Sequence, residues 1–197
     1  MNNERGFRIL LTFASGLLTL TRIYYGKQAV QAGRTERTRP ILVSNILLDL
    51  VGGVAALMTV LYILRPRWLA WARVSLPPVL RWVGVGLAAL TVGLFLWVHQ
   101  SLGRNWAMPL EQRAGQGLVT HGPYRWVRHP MYTTLTLWAI AFFLLSANAL
   151  VGLAWLGLMV LVLPLVGREE AELGARFGEA YRIYQQQTGR FLPRWRD

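Results

Sequence analysis

Residues 131–166, MYTTLTLWAIAFFLLSANALVGLAWLGLMVLVLPLV, contain no charged side chain. Two apolar runs, Met131–Leu145 and Ala149–Val166, are parted only by Ser146, Ala147 and Asn148. A connection that short sets two helices antiparallel, and a helix of about 17 to 25 apolar residues crosses the hydrocarbon core of a bilayer. The pair therefore reads as a membrane helical hairpin whose first arm is short for a full crossing. Further towards the N-terminus, Val79–Val98, Ile41–Leu64 and Phe7–Tyr25 repeat the pattern. Beyond the hairpin, Glu169, Leu173, Phe177 and Tyr181 recur every four residues, with Tyr184 three further on, which predicts a continuing amphipathic helix with Glu169 on its inward stripe and Glu170 pointing elsewhere. The fold class expected is all-α: a polytopic membrane helix bundle of about five transmembrane helices with a cytosolic C-terminal amphipathic helix.

Composition excludes the main alternative. Charged residues make up 15% of the chain and hydrophobic residues 54%, too few charges to cover a soluble globule. Arg5 and Arg8 ahead of the first apolar run resemble the start of a secretory signal, but no small-x-small cleavage site follows, so that run reads as a retained helix. No repeat or low-complexity tract divides the chain. A single membrane domain, 1–197, is expected, with 1–98 as a three-helix scaffold and 99–197 as the half that carries chemistry.

The net charge of +12 would suggest nucleic acid in a soluble protein. Its distribution points to a membrane instead. With five crossings, the basic residues from Arg22 to Arg39, Arg104 to Arg128 and Arg168 to Arg196 share one side, leaving Arg5, Arg8, Arg65, Arg67, Arg73 and Arg81 on the other. The richer side is expected in the cytoplasm, with the N-terminus outside and no nucleic acid as partner. Tyr24, Tyr25 and Trp97 would then lie at the inner interface and Tyr62, Trp68, Trp71 and Trp82 at the outer one. The chain has no cysteine and only His99, His121 and His129, so disulfides, thiolate nucleophiles and a metal centre are not expected. Asp49, a carboxylate in a membrane helix, is read as an ion-pair partner for Arg22 before it is read as functional.

Polar residues gather in two places, the stretch from His99 to His129 and the tail from Arg168 to Asp197. The tight hairpin folds the entry to its first arm beside the exit of its second. Arg128 and His129 should therefore approach Glu169 and Glu170. Pro130 suits the first position of a helix, where its missing N–H costs nothing. A helix start carries partial positive charge and free N–H groups, so with Arg128 alongside it favours a carboxylate or phosphate. Arg128 and His129 can equally be read as interfacial residues at a positive-inside boundary. Glu169 and Glu170 sit near a helix C-terminus, where anions are disfavoured and a positive partner is wanted; a carboxylate on a buried stripe must be paired or bound. A site offering an anion pocket and carboxylates together suits a zwitterionic amino acid, and S-adenosylmethionine is one.

The run Leu118-Val119-Thr120-His121-Gly122-Pro123-Tyr124-Arg125-Trp126-Val127-Arg128-His129-Pro130-Met131-Tyr132, then Glu169-Glu170, Phe177-Gly178-Glu179, Tyr181 and Thr188-Gly189-Arg190-Phe191-Leu192-Pro193, resembles the isoprenylcysteine carboxyl methyltransferase family, grouped with the phospholipid methyltransferases. The resemblance spans roughly Gly103 to Pro193. It implies a small bundle of membrane helices with a cytosol-facing S-adenosylmethionine pocket closed by the C-terminal segment. Carried over position by position, it implies cofactor contacts at Gln116, Gly117, Leu118, Val119, Tyr124, His129, Pro130, Met131, Tyr132, Glu169 and Glu170, with a further polar contact at Gln112 or Glu111. Where the isoprenylcysteine enzymes place a substrate-binding arginine one turn before the paired glutamates, this chain has Leu165, and Arg168 is the candidate substitute.

The function expected is methyl transfer in the membrane. Arg128 and His129 are the candidate catalytic residues, Arg128 orienting the acceptor or the cofactor carboxylate, His129 and Tyr132 lining the methionyl end, and Glu169 or Glu170 binding the cofactor amine. The acceptor is a lipophilic or small molecule entering from the lipid, whether a carboxylate such as prenylcysteine, a phospholipid amine or a thiol. The alternatives are an NADPH-dependent membrane reductase of the sterol-reductase type, which the paired glutamates oppose, and a non-enzymatic membrane protein.

Overall fold

The computed structural model describes residues 2–31, 43–103 and 117–194. Gln112, Glu111 and Gln116 lie outside the described residues, as does the side chain of Asp49. The order is α1 (Asn2–Gln31), α2 (Val43–Leu64), a 3-10 segment (Pro66–Ala72), α3 (Pro78–Leu102), a 3-10 turn (Gly122–Arg125), α4 (Pro130–Ser146), α5 (Ala149–Phe177) and α6 (Glu179–Gln187). No named strand occurs among the described residues, as expected where lipid leaves each backbone segment to satisfy its own hydrogen bonds.

This is an integral membrane protein. Among the described residues three helices are long and apolar enough to cross a bilayer, within α1, α3 and α5. Leu50–Leu64 with Pro66–Ala72 makes a fourth only as a broken span, bent by 113°, and α4 is shorter. The count is thus three or four where the sequence predicts about five. The break falls where Pro66 can neither donate an N–H nor accept the preceding helical turn beside its ring. Several helices outrun their apolar windows. α3 continues to Leu102, so His99 lies inside a helix and donates from Nδ1 to the Phe95 carbonyl (2.9 Å). α5 continues to Phe177, because Arg, Glu, Ala and Leu sustain a helix as well as the apolar residues before them.

The chain forms two compact units, and both draw residues from either side of residue 98. The first comprises Met1–Leu18, Ile41–Gly93 and Leu135–Val162; the second comprises Thr19–Pro40, Leu94–Thr134 and Leu163–Asp197.

In the first unit the hairpin turn is held by polar groups the sequence reading left unassigned. Asn148 caps α5, accepting at Oδ1 from the N–H of Leu150 (3.2 Å) and Val151 (3.3 Å), and its Nδ2 donates to the Leu69 carbonyl (2.7 Å). Buried Arg81 donates to the Leu145 carbonyl (2.7 Å), near the end of α4, and pairs with Glu4 of α1, which also pairs with Arg73. A cation on the last carbonyls of a helix is stabilising, and here it satisfies an acceptor that lipid could not. Phe142 stacks on Trp155 (4.7 Å), whose Nε1 donates to Thr59 (2.9 Å).

Candidate functional site

The site lies in the second unit. Pro130 opens α4 and His129 precedes it outside the helix. The backbone just before α4 is strapped to the C-terminal tail: the N–H of Arg128 donates to Gly189 O (2.8 Å), that of His129 to Arg190 O (3.0 Å), and that of Gly189 to Trp126 O (3.0 Å). A parallel bridge joins Val127 to Gly189, and Thr133 Oγ1 donates to Phe191 O (2.7 Å). Only glycine fits at 189, since a Cβ there would run into the Leu192 carbonyl. The tail reaches this position because α5 stops at Phe177: Gly178 takes φ +53, which other residues resist, and α6 starts in a new direction. Tyr181 and Tyr184 therefore belong to a separate helix, not to a continuous stripe with Glu169 as the four-residue spacing predicts.

The two glutamates divide their roles. Glu170 Oε1 accepts from Arg128 Nε (3.1 Å) and from His129 Nε2 (3.1 Å), and its Oε2 accepts from Arg190 Nη2 (2.7 Å). Its side chain is 13% exposed. Glu169 is 41% exposed; it accepts from the Tyr132 hydroxyl (2.9 Å) and stands 3.9 Å from His129 Nδ1. The expected approach of Arg128 and His129 to the paired acids is present. The expectation that Glu170 points away from it is corrected, because one turn of α5 can aim both carboxylates at the start of α4 when two cations stand there. Arg190 was missed. Its only sequence signal is its place in the Thr188–Pro193 close.

Arg128 is also tied to the tail. Its Nη1 donates to the carbonyls of Gln185 (3.0 Å) and Thr188, at the C-terminal end of α6. Orphan carbonyls at a helix end and a guanidinium are complementary in charge and in hydrogen bonding. Tyr184 adds a second tie by donating its hydroxyl to Tyr124 O (2.7 Å).

Burial sets the protonation states. It pushes His129 down to about 4, with Glu170 pulling the other way and Arg128 and Arg190 adding to the fall. The imidazole is therefore neutral at pH 7. With Nε2–H donated to Glu170, Nδ1 is the free acceptor, facing Glu169. Burial, reinforced by the negative charge of Glu169, raises Tyr124 well above the ordinary phenol value. For folding, the unfolded chain takes up the His129 proton first as pH falls, so the stability held above about 6.5 drains away between 6.5 and about 4. The expected loss is on the order of 3 kcal/mol over that window, measured as the denaturation midpoint against pH, and His129→Asn should flatten it.

The remaining predicted contacts are placed as follows. Gly117 is exposed, Leu118 half-buried and Val119 buried in the chain before the Gly122–Arg125 turn; Tyr124 is half-buried within that turn. Pro130 and Tyr132 are buried and Met131 half-buried in the first turn of α4. Leu165 is buried and Arg168 exposed.

Residues 84–174 match the isoprenylcysteine carboxyl methyltransferase family. The match covers 91 of the chain's 197 residues, a little under half. Protein-S-isoprenylcysteine O-methyltransferase of Tribolium castaneum is 34% identical over 90 residues, 45% of this chain and 32% of that protein. The nickel-cobalt-cadmium resistance protein NccN of Alcaligenes xylosoxydans xylosoxydans is 29% identical over 111 residues, 56% of this chain and 52% of that protein. The chain thus spans about a third to a half of these relatives' lengths. The solved structure of the eukaryotic intramembrane Ras methyltransferase, isoprenylcysteine carboxyl methyltransferase, shares the fold, with a TM-score of 0.53 and 20% identity over 90% of this chain and 65% of that one. The family match includes the glutamate pair and the start of α4 but stops before Arg190.

Proposed function

We propose that this chain is a methyltransferase of the membrane that takes its methyl group from S-adenosylmethionine and passes it to a lipophilic or small acceptor. The observation that carries the reading is the division of the glutamates: Glu170 is neutralised by two arginines, whereas Glu169 holds an accessible carboxylate beside a helix start. That donor set fits an α-amino acid. Glu169 would take the ammonium, with Tyr132 fixing the carboxylate. The first turn of α4, at Pro130, Met131 and Tyr132, carries the partial positive charge of a helix N-terminus and would take the acid end. The resemblance adds Gln116, Gly117, Leu118, Val119 and Tyr124 as further contacts of the cofactor. Bound there, the cofactor supplies a methyl group already activated on sulfonium.

The chain's own groups then have three tasks. The first is holding donor and acceptor in line, which falls to the Tyr132–Glu169 pair. The second is excluding water, for which the tail strapped over the start of α4 is suited. The third arises only with a protic acceptor, an amine or thiol, whose proton His129 Nδ1 or Glu169 would receive. A carboxylate acceptor needs no base. Arg128 serves as a positioning residue in this reading, because its Nε and Nη1 are already held by Glu170 and the α6 carbonyls. Orientation follows the arginine distribution: N-terminus outside, site and C-terminus in the cytoplasm.

The reductase alternative is not favoured, since an accessible glutamate repels the phosphates of NADPH. Calorimetric titration of the detergent-purified protein with S-adenosylhomocysteine tests the proposal. Saturable binding with one site per chain is the expected result. No heat with this ligand, but saturable binding of NADPH, would replace methyl transfer with the reductase.

A further inference from the structure

The 3-10 segment Pro66–Ala72 lies in the first unit and takes no part in the proposed chemistry. It leaves α2 at 113°. At about 2 Å per residue its seven residues extend roughly 14 Å, under half of a hydrocarbon core of about 30 Å, so it cannot serve as a crossing of its own. One face is fixed to the protein. Leu69 and Ala72 are buried, Asn148 holds the Leu69 carbonyl, and the N–H of Val74 donates to Ala147 O (2.8 Å). The other face is open: Trp68 is 66% exposed and Trp71 77%, with Leu64 and Trp82 exposed nearby in sequence. Tyr62, expected at the same interface, is buried instead.

The charges that the segment and its flanks themselves carry are all of one sign. No acidic residue occurs from Leu64 to Trp82, while Arg65, Arg67 and Arg73 are exposed. Arg73 is paired with Glu4. Arg65 and Arg67 have no ion pair among the described residues. Indole rings favour the boundary between hydrocarbon and water, because their bodies are apolar and their N–H is polar. A guanidinium offers phosphate a planar, two-pronged set of donors. Tryptophans held rigidly at the boundary, with unpaired arginines beside them, therefore match a ligand that has an acyl body and an anionic head.

We propose that the Pro66–Ala72 segment, with Arg65 and Arg67, is a binding site for the headgroups of anionic phospholipids. It fixes the broken end of α2, and with it the hairpin turn docked through Asn148, at the membrane surface. A zwitterionic headgroup fits less well, since it brings its own cation towards the arginines. The proposal is independent of the methyl-transfer reading.

The test uses the full chain in nonionic detergent and dansyl-labelled phosphatidylglycerol, with energy transfer from tryptophan as the signal and unlabelled lipids as competitors. Phosphatidylglycerol should displace the probe at a concentration at least tenfold lower than phosphatidylcholine. Arg65→Gln/Arg67→Gln should weaken phosphatidylglycerol about 25-fold at low salt, taking roughly fivefold per arginine. Arg168→Gln in the other unit should leave it unchanged. Both substituted side chains are exposed, so the melting midpoint should hold; if the double variant does not fold, raising salt to 0.5 M on the parent protein should weaken binding by a similar factor. Equal displacement by phosphatidylcholine, full affinity in the double variant, or affinity indifferent to salt would overturn the proposal.

Discussion

Glu169→Gln should raise the dissociation constant for S-adenosylhomocysteine by about tenfold to a hundredfold, the cost of exchanging a charge-assisted hydrogen bond for a neutral one. The substitution keeps the shape and leaves an acceptor for the Tyr132 hydroxyl (2.9 Å). Because the Glu169 side chain is 41% exposed and pairs with no arginine among the described residues, little stability depends on its charge. The melting midpoint should therefore shift by no more than about 2 °C. Glu170→Gln should behave in the opposite way. It leaves Arg128 and Arg190 facing a neutral amide, so it lowers the midpoint and affects the ligand only through the displaced tail. Calorimetry and a thermal scan on the two variants separate these roles. Equal binding losses with equal stability losses would mean that the glutamates act as one unit and that the division drawn from their geometry is mistaken.

Arg128→Ala is expected to be the most damaging single change to the fold of the second unit. The side chain is 13% exposed and ties Glu170 to the last carbonyls of α6. Its loss leaves a largely buried carboxylate with less compensation, and orphans two carbonyls at once. Removing one partner of a buried pair costs on the order of 3 kcal/mol, which in a chain of this size lowers the melting midpoint by roughly 6 to 12 °C. Lysine should rescue little, since a single ammonium cannot span the carboxylate and the carbonyls as the guanidinium does. A readout that stability alone would not move is proteolysis. In the folded variant, cleavage within α6 and the tail should precede cleavage elsewhere, because the tail keeps its backbone bonds to residues 128 and 129 but loses the guanidinium bonds that the parent protein has as well. A tail as resistant in the variant as in the parent would refute the clamp.

What was legible in the sequence followed from short-range physics. A bilayer demands long apolar helices, and three residues between Leu145 and Ala149 demand a hairpin, so the all-α membrane fold and the meeting of Arg128 and His129 with the glutamate pair could be reasoned from spacing alone. Pro130 marked the start of α4. Boundaries beyond the apolar runs were less legible, because a helix that leaves the hydrocarbon is no longer signalled by hydropathy. That is why α3 and α5 run past their windows, and why α4, shorter than a full crossing, is not among the three or four candidate spans of the described residues.

The tertiary structure decided which of two adjacent glutamates is bound by cations. Helical periodicity assigned Glu169 inward and Glu170 outward, as if α5 had one neighbour. The tail supplies a second: turned back at Gly178, it brings Arg190 and the α6 carbonyls to Arg128 and Glu170 from a segment about twenty residues further along the chain. Ion pairing depends on distances through space that no local pattern encodes. The sequence alone thus determined the membrane, the helices and the meeting place of the charged residues; the folded tail determined that Glu170 is held by two arginines and that Glu169 keeps an accessible carboxylate.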